Sequence, residues 1–286
     1  MKPIGLLDGK IIDLQENIVP MEDRGHQFGD GVYEVTKVYN GYCFALKLHL
    51  DRLYRSLREL TIPAVYTYEE LVEFHALLIK ESGIKDGAIY LQITRGVSPR
   101  AHGFPEQVVP RLTMSIRPVS AVPDKNKVEG AKGLLIPDER WLRCDIKSLN
   151  LLGNVLGKQK AKDAGCFEGI QVRDGIVTEG TSSNFFVIKD DVLWTHPTCN
   201  LILTGVTRTL VIEKIAPELG LIVVEKKFDE EFAKSAQETF VSGTSSEITP
   251  IIALNGQPVG NGSVGPITHK IQDAYWKLID EECKRK

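Results

Sequence analysis

Short apolar runs divided by two-residue turn signals open the chain. Asp8-Gly9 lies between Ile4–Leu7 and Ile11–Leu14, and Asn40-Gly41 lies between the alternating run Val32–Tyr39 and Tyr42–Leu46. Both predict β-hairpins, because Asn or Asp followed by Gly accepts the positive φ angles of a tight turn. Tyr33, Val35, Lys37 and Tyr39 then share one face of a strand. Leu50, Leu53, Leu57 and Leu60 recur at helical spacing, and Thr67 with Glu70 forms a capping box that opens a second helix ending at Gly83. Strand-like runs at 88–94 and 111–117 complete a first unit. The Pro-bearing stretch PVSAVPDKNK at 118–127 reads as a linker and places a boundary near residue 121.

Beyond that linker the pattern mixes both periods. A strand is predicted at Leu134–Pro137, a helix from about Leu151 to Ala164, and a hairpin closed by Asp174-Gly175 with Glu179 at the end of its second strand. Strands at Asn184–Ile188 and Thr239–Ser242 flank a helix running from about Val206 to Leu219, and Ile267, Ile271, Ala274 and Leu278 stripe the last helix. The architecture read from this pattern is two-domain: a smaller α+β domain over 1–120 and a larger α/β domain over 121–286, with mixed sheets. A chain of 286 residues supports that division, since at this size folding buries roughly 75% of the surface of the unfolded form.

Composition narrows the function classes. At 42% hydrophobic and 26% charged the chain is ordinary globular material, and a formal net charge of −3 lacks the basic excess that nucleic-acid phosphates demand. Nucleic acid is excluded as an expected partner. Five scattered cysteines with no CxxC pair read as reduced thiols, so no metal is expected; with no signal-peptide pattern and no apolar run of membrane-spanning length, the expectation is a cytoplasmic protein without membrane contact.

Generic catalytic motifs are absent. Three segments rich in Gly and hydroxyls, TEGTSSN at 178–184, LTGVTR at 203–208 and SGTSSEITP at 242–250, suit close approach to an anion, the second where a helix begins; each also reads as an ordinary turn.

RWLRCDIKSLN at 140–150, with EDRGHQFGDGVYEV at 22–35, SPRAH at 98–102 and TEGTSSN, resembles the fold-type IV pyridoxal-phosphate aminotransferases, and among them the bacterial D-amino-acid aminotransferases. The likeness runs through nearly the whole chain in the same order. It implies the fold-type IV architecture, with pyridoxal 5′-phosphate in the cleft between two domains, and a homodimer. It also implies ping-pong transfer of an amino group from a D-amino acid such as D-alanine to a 2-oxo acid such as 2-oxoglutarate. Branched-chain L-amino-acid aminotransferases, R-selective amine transaminases and aminodeoxychorismate lyases share the fold, and a non-catalytic ligand-binding relative is the rival from another class; the Arg-x-His of SPRAH favours the D-amino-acid enzymes.

By the same resemblance Lys147 is the lysine that carries the cofactor and moves the substrate proton, and Glu179 is the acid facing the pyridine nitrogen. Arg52, Ser182, Ser183, Val206, Thr207 and Thr244 form the phosphate cup, with the neighbouring hydroxyls of Thr181, Ser242 and Ser245 as alternatives to those named; Leu203 packs on the ring, and Tyr33, Arg100 and His102 bind the substrate carboxylate, with the SPRAH loop reaching the neighbouring subunit's site. His26 departs from the aromatic or apolar residue common in relatives and receives no role.

Overall fold

The computed structural model describes residues 3–119 and 124–284. The boundary expected near residue 121 lies outside the described residues. By packing, the chain divides into two compact units: Met1–Ala121 with Ile146–Asn150 and Ile279–Lys286, and Val122–Asp145 with Leu151–Leu278.

The first unit is built on a six-stranded sheet of order β2-β1-β6-β5-β3-β4, comprising β1 (Ile4–Leu7), β2 (Lys10–Ile12), β3 (Gly31–Tyr39), β4 (Tyr42–Cys43), β5 (Gly87–Thr94) and β6 (Arg111–Pro118). Every pair in it is antiparallel, so the mixed pattern expected of both sheets does not extend to this one. The two hairpin turns form where the sequence places them, with φ of 44° and 86° at Asp8-Gly9 and 51° and 82° at Asn40-Gly41. The helices of this unit are α1 (Arg24–Phe28), α2 (Leu46–Glu59) and α3 (Tyr68–Ser82). Leu50, Leu53 and Leu57 of α2 and Leu71 and Leu78 of α3 pack into one core with Ile89, Leu91, Ile93, Leu112, Met114 and Ile116, the inward-facing positions of β5 and β6. Helix α3 opens on the expected capping box, with Thr67 N donating to Glu70 Oε2 at 2.7 Å and Glu70 N to Thr67 Oγ1 at 3.2 Å.

Because β4 spans only two residues, the start of β3 has a vacant edge. Residues 147–149 take it: Tyr33 N donates to Lys147 O and Leu149 N to Gly31 O, both at 3.0 Å, and Val32 bridges Ser148. These paired backbone groups explain why Ile146–Asn150 falls with the first unit despite following the linker in sequence.

The second unit carries a nine-stranded mixed sheet formed by β7 (Ala131–Pro137), β8 (Glu168–Arg173), β9 (Ile176–Gly180), β10 (Asn184–Lys189), β11 (Val192–Thr195), β12 (Ile222–Glu225), β13 (Glu238–Gly243), β14 (Glu247–Leu254) and β15 (Gln257–Pro258). Its order is β12-β11-β10-β13-β14-β7-β8-β9 with β15 on β14, and the pairs β11·β12, β14·β7 and β7·β8 are parallel. Asp174 and Gly175, at φ 50° and 77°, close the β8–β9 hairpin. Around it lie α4 (Lys125–Glu129), α5 (Leu152–Asp163), α6 (Val206–Leu210), α7 (Ala216–Glu218), α8 (Glu230–Lys234) and α9 (Pro266–Glu282). The single helix predicted over about 206–219 is helical throughout 206–218 but carries a π-turn at Val211–Ile215, next to Pro217, which has no N–H to donate to the preceding turn. In α9 the buried stripe includes Thr268 and Tyr275 rather than Ile267, because Thr268 donates its hydroxyl and backbone N–H to the buried Glu238 at 2.6 and 2.7 Å. Among the described residues, no helix is long and apolar enough to cross a membrane.

Candidate active site

Within the second unit, the chemistry gathers around Glu179, near the end of β9 and 4% exposed. Its Oε1 accepts from Arg140 Nη1 at 2.5 Å, its Oε2 from Asn184 Nδ2 at 2.9 Å, and Leu203 N reaches both oxygens at 3.1–3.2 Å. Asn184 also donates to Leu203 O at 2.8 Å, tying the Leu203 loop to the carboxylate. Behind this lies a second buried acid: Arg140 grips Asp138 with Nε and Nη2 at 2.9 Å, and Arg173 adds a contact at 3.0 Å. Two guanidinium groups thus face two buried carboxyl groups. Burial pushes the Glu179 carboxyl up to about 7 against the pull of Arg140, whereas for Asp138 burial is outweighed by Arg140 and Arg173, which hold it down to about 2.

The three hydroxyl-rich segments meet in this same unit. β10 pairs with β13 so that Asn184 lies opposite Ser242, and a Cβ on Gly205, which precedes α6, would fall 2.1 Å from Asn184 Oδ1. A side chain there would clash, so Gly205 lets the turn before Val206 and Thr207 approach Asn184. Thr207 is buried, while Leu203 and Thr244 are half-buried. Two buried hydroxyls of the 242–246 turn, Ser242 Oγ and Ser246 Oγ, have no hydrogen-bond partner, as expected of groups kept for an anion. Ser182 and Ser183 are differently occupied: each gives its hydroxyl to Glu168 Oε2 at 3.0 Å, and Thr181 bonds the other oxygen of the same buried carboxylate.

In the first unit Lys147 is half-buried at the edge of β3, its N bonded to Ser56 Oγ at 3.3 Å and its Nζ 4.1 Å from the centre of the Tyr33 ring. Tyr33 stacks on Tyr90 at 5.7 Å. The next residue of β3, Glu34, points to the opposite face. There Arg52 holds it through two bonds of 2.7 and 2.8 Å, and His49 Nδ1 lies 2.8 Å from Oε2. Burial opposes ionisation of Glu34, but Arg52 and His49 outweigh it and hold the carboxyl well below the usual range. Arg52, at 10% side-chain exposure, is therefore a fixed cation rather than a free surface charge.

Arg100 and His102 lie exposed on the loop after β5. Both pack on Phe28, the Arg100 guanidinium 4.4 Å from its ring centre and the His102 ring at 5.6 Å. The structure thus places Lys147 with Tyr33, and Arg100 with His102. His26 is exposed on α1.

Arg140, Asn184 and Glu168 are missing from the sequence-derived site. Arg140 and Asn184 border recognised motifs, at the start of RWLRCDIKSLN and the end of TEGTSSN; Glu168 has no local signal, since its hydroxyl partners lie 13–15 residues away.

Each unit by itself carries residue types that fit part of a phosphorylated pyridine aldehyde: the first an amine, the second a buried acid for a ring nitrogen and orphaned hydroxyls for an anion. The family model of amino-transferase class IV matches residues 31–254. A D-alanine aminotransferase from Bacillus licheniformis is 44% identical over 280 residues, 98% of this chain and 98% of the relative. Among solved structures, a branched-chain amino acid aminotransferase from Escherichia coli aligns at TM-score 0.92 with 28% identity, over 99% of this chain and 96% of that one. Another branched-chain enzyme, from Thermobaculum terrenum in its PLP-form, aligns at TM-score 0.86 with 25% identity over 99% and 95%.

Proposed function

The chain belongs to the class IV aminotransferases, and from that premise we propose the following account of its work. It is a pyridoxal-phosphate enzyme that moves the amino group of a D-amino acid, D-alanine above all, to a 2-oxo acid such as 2-oxoglutarate. The observation that carries this is the 44% identity to a D-alanine aminotransferase over 98% of both chains, against 28% to a branched-chain enzyme of the same fold.

When bound, pyridoxal phosphate supplies a ring that accepts the electrons left at Cα as a proton departs. In this account Lys147 would hold the cofactor, and its amine, free and neutral once the substrate amine has taken its place, would take the proton from Cα and return it two atoms away, beyond the substrate nitrogen. Glu179, braced by Arg140 and Asn184, keeps a negative charge at the ring nitrogen. Arg52 holds the phosphate with Val206, Thr207 and Thr244 and with the backbone of Ser182 and Ser183, whose hydroxyls are given to Glu168, and Leu203 packs on the ring. Tyr33, Arg100 and His102 bind the substrate carboxylate. With that group fixed on one side, only one enantiomer aims its Cα hydrogen at Lys147 while its side chain keeps to the remaining space.

The account includes a homodimer. Leu152, Val155 and Leu156, at i, i+3 and i+4 of α5, are exposed at 70, 57 and 53%, an apolar stripe of the kind subunits cover. A cytoplasmic location accords with five free thiols.

Initial rates of the holoenzyme with D-alanine and with L-leucine, each against 2-oxoglutarate, test the assignment. D-alanine is expected to win in kcat/KM by at least about a hundredfold; preference for L-leucine would overturn it.

A further inference from the structure

Residues 98–104 form no helix or strand, yet a carboxylate-binding pair must be held to a fraction of an ångström. Helix α1 supplies the hold. Arg24, 3% exposed, donates through Nη1 to Ala101 O at 2.7 Å and Gly103 O at 3.2 Å, while its Nε is on Asp30 Oδ2 at 2.8 Å. Arg95, 2% exposed, meets the same Asp30 oxygen at 2.8 Å, bonds Leu60 O and Thr61 O at 2.7 and 3.1 Å, and stacks its guanidinium 3.7 Å from the Phe104 ring centre. Burial pushes the Asp30 carboxyl up, but bonds from Arg95 and Arg24 outweigh it and hold the group ionised. One turn beyond Arg24, Phe28 offers its ring to three cationic or aromatic partners: Arg24 at 4.8 Å, Arg100 at 4.4 Å and His102 at 5.6 Å.

We propose that Arg24 and Phe28 are positioning residues that set carboxylate specificity, Arg24 by fixing the backbone of the 98–104 loop and Phe28 by fixing the side chains of Arg100 and His102. This rests on the reading of Arg100 and His102 as the carboxylate-binding pair. The chemistry explains the residue types. A planar guanidinium can meet a carboxylate and two carbonyls together, which a compact ammonium cannot. An aromatic face attracts a cation that an aliphatic side chain would only touch.

The test uses holoenzyme carrying Arg24→Lys or Phe28→Leu, the latter a mild change that keeps the fold if the former does not. Both are expected to raise KM for D-alanine by about tenfold, the scale of one lost charge-assisted bond, with kcat changed less than about threefold. Turnover of (R)-1-phenylethylamine, which has no carboxylate, should stay within about twofold, and Arg24→Lys should speed amide hydrogen exchange in 98–104 by about tenfold or more. Unchanged KM for D-alanine in Phe28→Leu, or equal losses for the acid and the amine, would overturn the proposal. Arg100→Ala, measured alongside, separates the two layers: an unchanged KM there would remove the carboxylate reading itself. Hydrogen exchange would then decide the clamp alone, and no acceleration in Arg24→Lys would reject it.

Discussion

Glu179 divides its carboxylate among Arg140, Asn184 and Leu203 N, so replacing one oxygen by an amide alters charge more than shape. Glu179→Gln leaves Arg140 anchored by Asp138 but withdraws the negative charge proposed to face the ring nitrogen. Turnover of D-alanine should fall by about a hundredfold or more while KM moves less than about threefold, a pattern that marks an interaction made in the transition state; steady-state kinetics check it, and an unchanged kcat would show that Glu179 has another role. Lys147 and Glu179 were expected from the sequence because DIKSLN and TEGTSSN are long, non-repetitive motifs. Their supports were not, for a physical reason: Asp138, Arg140 and Arg173 form one charge network only after β7, β8 and the 138–140 turn come together. The hydroxyls of Ser182 and Ser183 could be counted in advance, but the buried carboxylate of Glu168 that receives them could not.

Among the elements, tight turns and caps were the most legible features, since their chemistry is contained in two to four residues. Asp8-Gly9, Asn40-Gly41, Asp174-Gly175 and the Thr67–Glu70 box all form as read. The strand-like docking of 147–149 on β3 could not be foreseen, because it depends on the brevity of β4, more than a hundred residues earlier. Helix α3 carries a buried charge-sensitive group of its own. His75 bonds Leu71 O through Nδ1 at 2.6 Å, and burial pushes its imidazole down to about 4, so the folded protein keeps it neutral where the unfolded chain is protonated. Its share of stability is therefore present above the unfolded value of about 6.5 and is lost as pH falls toward 4. Glu179, held up near 7, works in the opposite direction between pH 7 and its ordinary value, so the comparison must be with a variant. Urea unfolding of the apoprotein should show the parent losing about 2 kcal/mol more than His75→Gln between pH 7 and 5; equal losses would mean that His75 is protonated in the fold.

For the whole molecule, fold and substrate separate cleanly. A TM-score of 0.92 to a branched-chain enzyme fixes the architecture without choosing between L- and D-amino acids, and it is the full-length sequence likeness that makes the choice. Local patterning gave the three hairpins, the long helices and several strands but not α1, α4, α8, β11, β12, β14 or β15, and the membership of Ile146–Asn150 in the first unit is a long-range property. It places Lys147 with Tyr33 and Ser56, while Glu179 and the hydroxyl-rich turns belong to the second unit. The central claim is that the amine of Lys147 moves the proton on which transamination depends. Lys147→Ala tests it most directly, with D-alanine turnover and the visible absorbance of bound cofactor measured on the same sample. The account predicts a loss of turnover of about a thousandfold or more with the cofactor still held through its phosphate; near-normal turnover by the cofactor-loaded variant would contradict it.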